Sequence, residues 1–332
     1  SRQSFPSEYT LYSVSVDEIQ KSLKQSPERL KTNFSNVIIS IPNSEGNLER
    51  FQMFEFSNFA PELQAQFPEI RSYIGIGIDD KYAKLRLSLD PNGIQGMIFR
   101  TGKVNEFFEP YSEEGNIYAF YSSNRNKGEM PFVCTTEDIK VAQELKFQTQ
   151  NQNRSSSGEL LTFRLALSCT GEYAQFFGGT VALALEGMND TMTRVNGIFE
   201  NDLAIHMNLI SNNNVIVYLN PNTDPYSTIG NWNTELQSTL TNVIGEANYD
   251  IGHVFGASGG GGSAGCIGCV CVNGIKGSAK TAPSDGVPGG DTFDIDYVAH
   301  EMGHQFGANH TYSHIFEGSG VNVEPGSGST IM

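Results

Sequence analysis

Residues near the end of the chain have the types and spacing of a hydrolytic metal centre. Residues 298–310 read VAHEMGHQFGANH and contain the pattern H-E-x-x-H-x-x-G-x-x-H. On a helix, His300 and His304 lie one turn apart on one face, about 6 Å from each other, so both can bind one ion. Glu301 lies beside the first histidine, where it can take a proton from a metal-bound water as a general base.

The rest of the pattern predicts a third ligand. We expect Gly307 to end the helix, because glycine adopts positive φ without steric cost and allows a sharp turn. The turn returns His310 to the metal. Three protein ligands leave the fourth position to water, as in catalytic zinc sites, whereas a structural site has four protein ligands. Histidines that are merely packed or solvated are the alternative, and five matching positions argue against it.

The sequence around the pattern is that of an amphipathic helix. Acidic residues favourable to a helix N-terminus precede it, at Asp291, Asp294 and Asp296. Apolar residues recur every four positions, at Val298, Met302 and Phe306. We therefore expect this apolar side to face a core and the histidines to point away from it.

The pattern resembles the zinc signature of the metzincin metalloendopeptidases, and its flanks are most similar to the reprolysin-like enzymes of bacteria. The similarity extends upstream through YDIGHVF at 249–255 and FRLAL at 163–167. It implies a Zn²⁺-dependent endopeptidase that acts on protein or peptide substrates. Metzincins also carry a methionine in a tight turn beneath the metal, and the ending GSGSTIM places Met332 in that role.

Two features depart from the family pattern. Many reprolysins have an acidic residue directly after the third histidine, where this chain has Thr311. Support for the ligands must therefore come from elsewhere. In the family, the segment after the methionine completes a wall of the pocket for the residue that follows the scissile bond. Because the sequence stops at Met332, we expect a fragment or a cleaved product.

Length and charge restrict the remaining possibilities. A chain of 332 residues suggests two domains. Its net charge of −16 argues against nucleic acid or an anionic membrane as partners. No segment approaches the roughly 20 apolar residues of a membrane span. The chain starts with SRQS and has no basic-then-apolar leader, so we infer a secreted or cell-envelope protein whose signal peptide was removed or left out.

Residues 1–128 predict a β-rich domain. Segments rich in β-forming residues occur at 37–41, 50–56, 84–89 and 117–121. A single helical pattern covers 16–30. The region has no catalytic cluster, and its position and composition resemble the pro-domain of a secreted metalloprotease. The expected fold class is α+β, with this pro-domain followed by a metzincin-type domain at 158–332 that has a mixed sheet, a backing helix and a zinc helix.

Residues 129–157 predict a polar activation linker. The stretch QTQNQNRSSS at 148–157 contains no apolar residue, and such exposed segments are where proteases cut. Lys146 and Arg154 offer sites for a trypsin-like activator, and self-cleavage is equally open. Cys134 lies before this polar stretch. Its thiolate could take the fourth metal position and hold a zymogen latent. A buried thiol or a disulfide is the alternative.

Within 158–332 the patterns predict alternating elements. Strands are expected at 160–167, 204–210, 214–219 and 249–255, and helices at 180–201 and 233–244. The glycine run at 256–265 lacks the Gly-Lys-Ser or Gly-Lys-Thr of a phosphate loop, so we expect a flexible rim beside the cleft. His206 and His253 each stand alone in a strand pattern and are expected to be structural.

The remaining polar clusters leave alternatives open. Cys266, Cys269 and Cys271 form a tight trio that fits disulfides better than a metal site in an exported protein. Glu200 and Asp202 are either surface charge or part of a Ca²⁺ site of the sort that the resemblance implies. A non-catalytic zinc-containing adhesion or binding module, or another zinc hydrolase such as a deacylase, are the alternatives to a peptidase.

Overall fold

The computed structural model describes residues 5–112, 115–122, 133–137, 158–310 and 331–332. Two β-sheets lie on either side of one long helix, so the chain has the mixed helix and sheet content of an α+β protein. The predicted linker at 129–157 falls largely outside the described residues. Within the described part, no helix is long and apolar enough to cross a bilayer.

The first sheet is an antiparallel meander from the N-terminal region. Its eight strands have the order β1-β8-β7-β6-β5-β4-β3-β2. They are β1 (Thr10–Ser13), β2 (Ile38–Pro42), β3 (Leu48–Glu55), β4 (Arg71–Gly77), β5 (Lys84–Asp90), β6 (Gly93–Phe99), β7 (Glu106–Pro110) and β8 (Ile117–Ser122). The helices α1 (Val16–Leu23) and α2 (Pro61–Gln66) lie between strands. The predicted helix at 16–30 ends early, because Pro27 cannot continue it and the Arg29 amide donates to the Glu55 carbonyl instead.

The second sheet is mixed and carries the histidine motif. Its six strands have the order β11-β10-β12-β14-β13-β9. They are β9 (Val133–Cys134), β10 (Leu161–Cys169), β11 (Ile205–Leu209), β12 (Ile251–Phe255), β13 (Gly261–Ser263) and β14 (Ala279–Ala282). Strands β11, β10, β12 and β14 are mutually parallel, whereas β13 is antiparallel to β14. The sheet is therefore mixed, as expected.

Two sequence-based predictions in this half were wrong. The glycine run was expected to form a flexible rim, but residues 261–263 form β13 and are buried. The predicted strand at 214–219 is instead a 3₁₀ turn, Asn213–Ile216. The Asn213 carboxamide accepts from the Leu167 amide at 2.9 Å and donates to its carbonyl at 2.8 Å. A side chain thus supplies β10 with the hydrogen bonds that a neighbouring strand would make.

The long helix α4 (Val181–Leu203) joins the two halves. It follows the short helix α3 (Gly171–Phe176), and the Thr180 hydroxyl caps its N-terminus by accepting from the Leu183 amide at 3.2 Å. Helix α5 (Trp232–Val243) covers the opposite face of the mixed sheet. The predicted helices at 180–201 and 233–244 agree with α4 and α5 to within two residues.

The histidine motif lies at the end of a continuous helical segment. A π-helical stretch, Thr292–Ala299, continues directly into α6 (His300–Gln305). Val298 and Met302 pack in the main core with residues of β10 and α4. Asp294, in the first turn, accepts a hydrogen bond from Thr191 at 2.7 Å and pairs with Arg194 at 2.9 Å. The segment is thus held against α4 by both apolar packing and a buried ion pair.

Candidate metal centre

Four side chains converge where α6 ends. Cys134, His300, His304 and His310 place their ligand atoms within 4.8 Å of one another. The His304 Nε2 atom lies 3.2 Å from Nε2 of both His300 and His310, and 3.6 Å from the sulfur of Cys134. Among the described residues this is the one group of three or more such side chains close enough to hold an ion.

These separations match the edges of a tetrahedral zinc site. With Zn–N near 2.0–2.1 Å and Zn–S near 2.3 Å, tetrahedral geometry places two nitrogens about 3.3 Å apart and a nitrogen and a sulfur about 3.6 Å apart. The structure has 3.2 Å and 3.6 Å. Imidazole and thiolate are also the donors that zinc prefers. The residues present therefore fit Zn²⁺.

Backbone carbonyls orient two of the histidine rings. The Nδ1 atom of His300 lies 2.5 Å from the carbonyl oxygen of Ile331, and that of His304 lies 2.7 Å from the carbonyl oxygen of Ala308. An Nδ1–H that donates to a carbonyl leaves Nε2 deprotonated and able to bind a metal ion. These carbonyls would hold the two rings in place for a metal ion, a role for which the sequence, with Thr311 after the third histidine of the motif, offers no acidic side chain.

The helix end and the final methionine lie close to the histidine cluster. Gly307 has a φ of +112°, which only glycine adopts readily, and its amide donates to the His304 carbonyl at 2.9 Å. A Cβ atom placed on Gly303 would lie 2.8 Å from the sulfur of Met332. Met332 therefore lies against the turn of helix that carries both histidines.

Glu301 is a residue of α6, and its side chain is fully buried against strand β13 of the mixed sheet. Burial raises the pKa of Glu301 to about 7. Its Oε2 atom accepts a hydrogen bond from the Thr136 hydroxyl at 3.1 Å. A side chain at Gly262 would overlap the Glu301 carboxylate, so β13 approaches the carboxylate as only a glycine strand can. The sequence analysis predicted neither Thr136 nor Gly262 as a neighbour of Glu301. The glycine run was the available signal for Gly262.

The segment around Cys134 lies in the cleft as an extra edge strand. Strand β9 pairs in parallel with β13. The amides of Val133 and Thr135 donate to the carbonyls of Gly260 and Gly262, at 3.1 Å and 3.0 Å. Burial raises the pKa of the Cys134 thiol to about 12, so formation of a thiolate at neutral pH requires the charge of a bound metal ion.

The other predicted histidines lie away from this cluster. The His206 ring stacks on Phe56, with centroids 4.3 Å apart, and its Nδ1 atom lies 2.7 Å from Glu200. His253 is held between Gln305 and Thr281, at 2.9 Å and 2.8 Å. Burial lowers the pKa of both rings to about 4.

The remaining candidates have other partners. Glu200 pairs with the buried Arg86 as well as with His206, and neither Glu200 nor Asp202 belongs to a ligand cluster among the described residues. Calcium at these two residues remains a prediction. Cys266 and Cys269 form a disulfide with an S–S distance of 2.03 Å, in line with the disulfide expectation for the cysteine trio.

Three clustered imidazoles beside a buried glutamate are typical of zinc-dependent hydrolases that cleave with water. Comparison with protein families makes the class specific. The family described as Metallo-peptidase family M12B, Reprolysin-like, matches residues 160–332, just over half of the chain. The chain belongs to this family and is a zinc metalloendopeptidase. A search of curated proteins gives no match.

Proposed function

We propose that the chain is the zymogen of a secreted zinc endopeptidase, in which His300, His304 and His310 hold the metal and Glu301 is the general base. The observation that carries the proposal is the convergence of the three imidazole side chains on one point, next to the fully buried Glu301 on the same helix. Residues 1–128 then serve as the pro-domain and 129–157 as the activation linker. The disulfide between Cys266 and Cys269 supports export, because such bonds persist in oxidising compartments.

In this mechanism Glu301 moves the proton. Zinc, when bound, polarises the scissile carbonyl and lowers the pKa of water. The Glu301 carboxylate accepts a proton from the attacking water while the water oxygen adds to the scissile carbonyl carbon. When the carbon–nitrogen bond breaks, Glu301 passes that proton to the leaving amine, and the products are a carboxylic acid and an amine.

The edge of β13 is the proposed binding strip for substrate. The carbonyls of Gly260 and Gly262 and the amide of Ala264 face the 133–136 segment and form hydrogen bonds with Val133, Thr135 and Thr136, respectively. Once the 133–136 segment leaves, these groups can pair with an extended peptide by strand addition. Three of the residues that form the strip, Gly260, Gly261 and Gly262, have no side chain. Main-chain pairing of this kind favours broad sequence tolerance.

Latency is proposed to rest on two contacts of the 133–136 segment. The Cys134 sulfur takes the fourth metal position and excludes water from it. Two residues further along the chain, the Thr136 hydroxyl donates a hydrogen bond to the Glu301 carboxylate. The same hydroxyl accepts from the Ala264 amide at 2.8 Å, so it connects the base to the substrate strip. Metal, base and strip are therefore blocked by one short segment.

A non-catalytic zinc module is the second candidate. A site closed by three histidines and a cysteine has the ligand set of structural zinc. In that case the segment would remain in place throughout, and Glu301 would serve only as a hydrogen-bond acceptor for Thr136. The two functions differ in whether any cleavage follows removal of Cys134 from the metal.

The test compares zinc content with turnover of a denatured protein substrate. The proteins are wild type and Cys134→Ala, each with and without Glu301→Gln, and Glu172→Gln in the exposed part of α3 is the matched control. We expect one zinc per chain throughout. Chelator-sensitive cleavage should be strongest with Cys134→Ala and should fall by about 10²–10⁴-fold with Glu301→Gln only. Full zinc with no cleavage in any variant would support the binding module.

A further inference from the structure

The N-terminal region and the peptidase half of the chain also contact each other outside the cleft. Helix α4 places one face in the core of the mixed sheet and the other against β4, β5 and β6 of the eight-stranded sheet. Gly197 permits this second contact, because a side chain there would overlap the ring of Phe99 and the stem of Arg86. The N-terminal region is therefore packed directly on the helix that backs the catalytic sheet.

The N-terminal region also completes the far edge of the mixed sheet. Strand β11 is the outermost named strand on the side opposite β9. Its Leu209 amide donates to the Asn58 carbonyl at 2.7 Å, and its carbonyl accepts from the Ala60 amide at 2.8 Å. Without residues 58–60 this edge would present unpaired backbone groups, which are prone to pair with other chains.

Apolar side chains from the same region lie inside the catalytic core. Phe59, Leu63 and Ile70 are each at most 3% exposed. They belong to one continuous cluster with residues of β10, α4, β11 and α6. Helix α2 is thus a structural part of the metal-bearing half, and its loss would expose core surface.

Buried polar contacts make the interface specific. The Asn58 carboxamide donates to Asn189 Oδ1 at 3.0 Å and to the Thr193 hydroxyl at 2.8 Å, and it accepts from Asn196 at 3.0 Å. Elsewhere on α4, Asp190 accepts from Ser88 and Gln95, at 2.5 Å and 2.6 Å. Separation would exchange these hydrogen bonds for bonds to water, and each intact bond makes a modest net contribution to holding the two parts together.

We propose that the N-terminal region, residues 5–122, is a permanent non-covalent partner of the peptidase half and is retained after the linker is cut. Activation then requires only that residues 133–136 leave the cleft. That segment is held by a few hydrogen bonds and the metal, whereas the sheet is held by core packing, backbone pairing and a buried polar network. The mature enzyme is accordingly a two-chain particle.

The experiment cuts the linker at one site and asks whether the pieces separate. Residues 148–157 are replaced by the recognition sequence of a site-specific protease, and the cut protein is analysed by native mass spectrometry and gel filtration at micromolar concentration. We expect a single particle close to the intact mass of 36.3 kDa, with two fragments under denaturing conditions only. Two separate species after cutting would overturn the proposal.

A matched pair of variants on α2 locates the contact. Leu63→Asp places a charge in the shared core, whereas Ala65→Asp places the same charge on the exposed face of the same helix. Cut Leu63→Asp should dissociate and cut Ala65→Asp should not. If Leu63→Asp does not fold before cutting, Asn58→Ala replaces it. Equal retention by the α2 pair, or by Asn58→Ala and wild type, would contradict the role of this interface in holding the two chains together. The readout is mass, so the outcome is independent of whether the chain has peptidase activity.

Discussion

The contact between Thr136 and Glu301 yields the sharpest prediction. Replacing Thr136 with valine keeps the shape of the side chain and removes its hydroxyl. While the segment stays docked, Glu301 Oε2 and the Ala264 amide then lose a partner, and both belong to fully buried residues. The undocked state loses nothing comparable, because water solvates all three groups. Thr136→Val should therefore shift the latent protein toward the undocked form.

The structure sets the size of the shift. Each hydrogen bond that is lost contributes about 0.5–1.5 kcal/mol, so the loss of two destabilises the docked state by about 1–3 kcal/mol. At 1.4 kcal/mol per tenfold, the undocked-to-docked ratio rises by about 5- to 140-fold. Thr135→Val is the matched control. Thr135 is exposed, and its hydroxyl donates to the Gly262 carbonyl at 3.1 Å. It should change the ratio by about threefold or less.

Two assays on the uncut chain follow undocking independently. Basal cleavage of a quenched fluorescent protein substrate reports an open active site. The rate of Cys134 alkylation, measured by peptide mapping on metal-free protein, reports exposure of the segment whether or not the chain is active. We expect both to rise with Thr136→Val and to stay near wild type with Thr135→Val. Equal alkylation rates in the two variants would refute a latch at Thr136.

Three further changes test other parts of the structure. Gly262→Ala should lower kcat/KM by at least about tenfold at unchanged zinc content, because the added methyl displaces Glu301; normal kinetics would contradict the close approach. Burial raises the pKa of Glu186 to about 7, so ionisation of this carboxyl destabilises the folded state progressively from about pH 4.5 to 7. Glu186→Gln should therefore raise Tm at pH 8 and leave Tm unchanged at pH 4. A change in Tm that is the same at both pH values would refute this cause. Asn58→Ala should lower the free energy of unfolding by about 2–4 kcal/mol in urea titrations, and a loss below about 1 kcal/mol would show that its network is not needed.

The sequence predicts the parts of this protein that depend on local pattern. The helical spacing of apolar residues located α4 to within two residues, and the histidine spacing picked out three side chains that the structure gathers. Strand β13 could not be predicted, because glycine has low β-propensity and only pairing with β14 makes that segment extended. The role of Asn213 was hidden for a related reason. Its carboxamide replaces backbone pairing, which no periodicity reveals.

The contacts of Thr136 depend on long-range geometry in the same way. A threonine after Cys-Thr has no local signature, and 165 residues separate it from Glu301. Cys134 was identifiable as a candidate ligand because its chemistry is distinctive, whereas a hydroxyl is common. The supporting carbonyls of Ala308 and Ile331 carry no side-chain signal at all.

The placement of α4 between the sheets has a consequence for synthesis on the ribosome. The last strand of the eight-stranded sheet ends at Ser122, whereas α4 ends at Leu203. At about 5–20 residues per second, roughly 4–16 s pass between the emergence of these two points. During that interval Arg86 is made but its partner Glu200 is not. The eight-stranded sheet therefore remains partly exposed until α4, which belongs to the other half of the chain, has been synthesised. The two halves then complete their folding together.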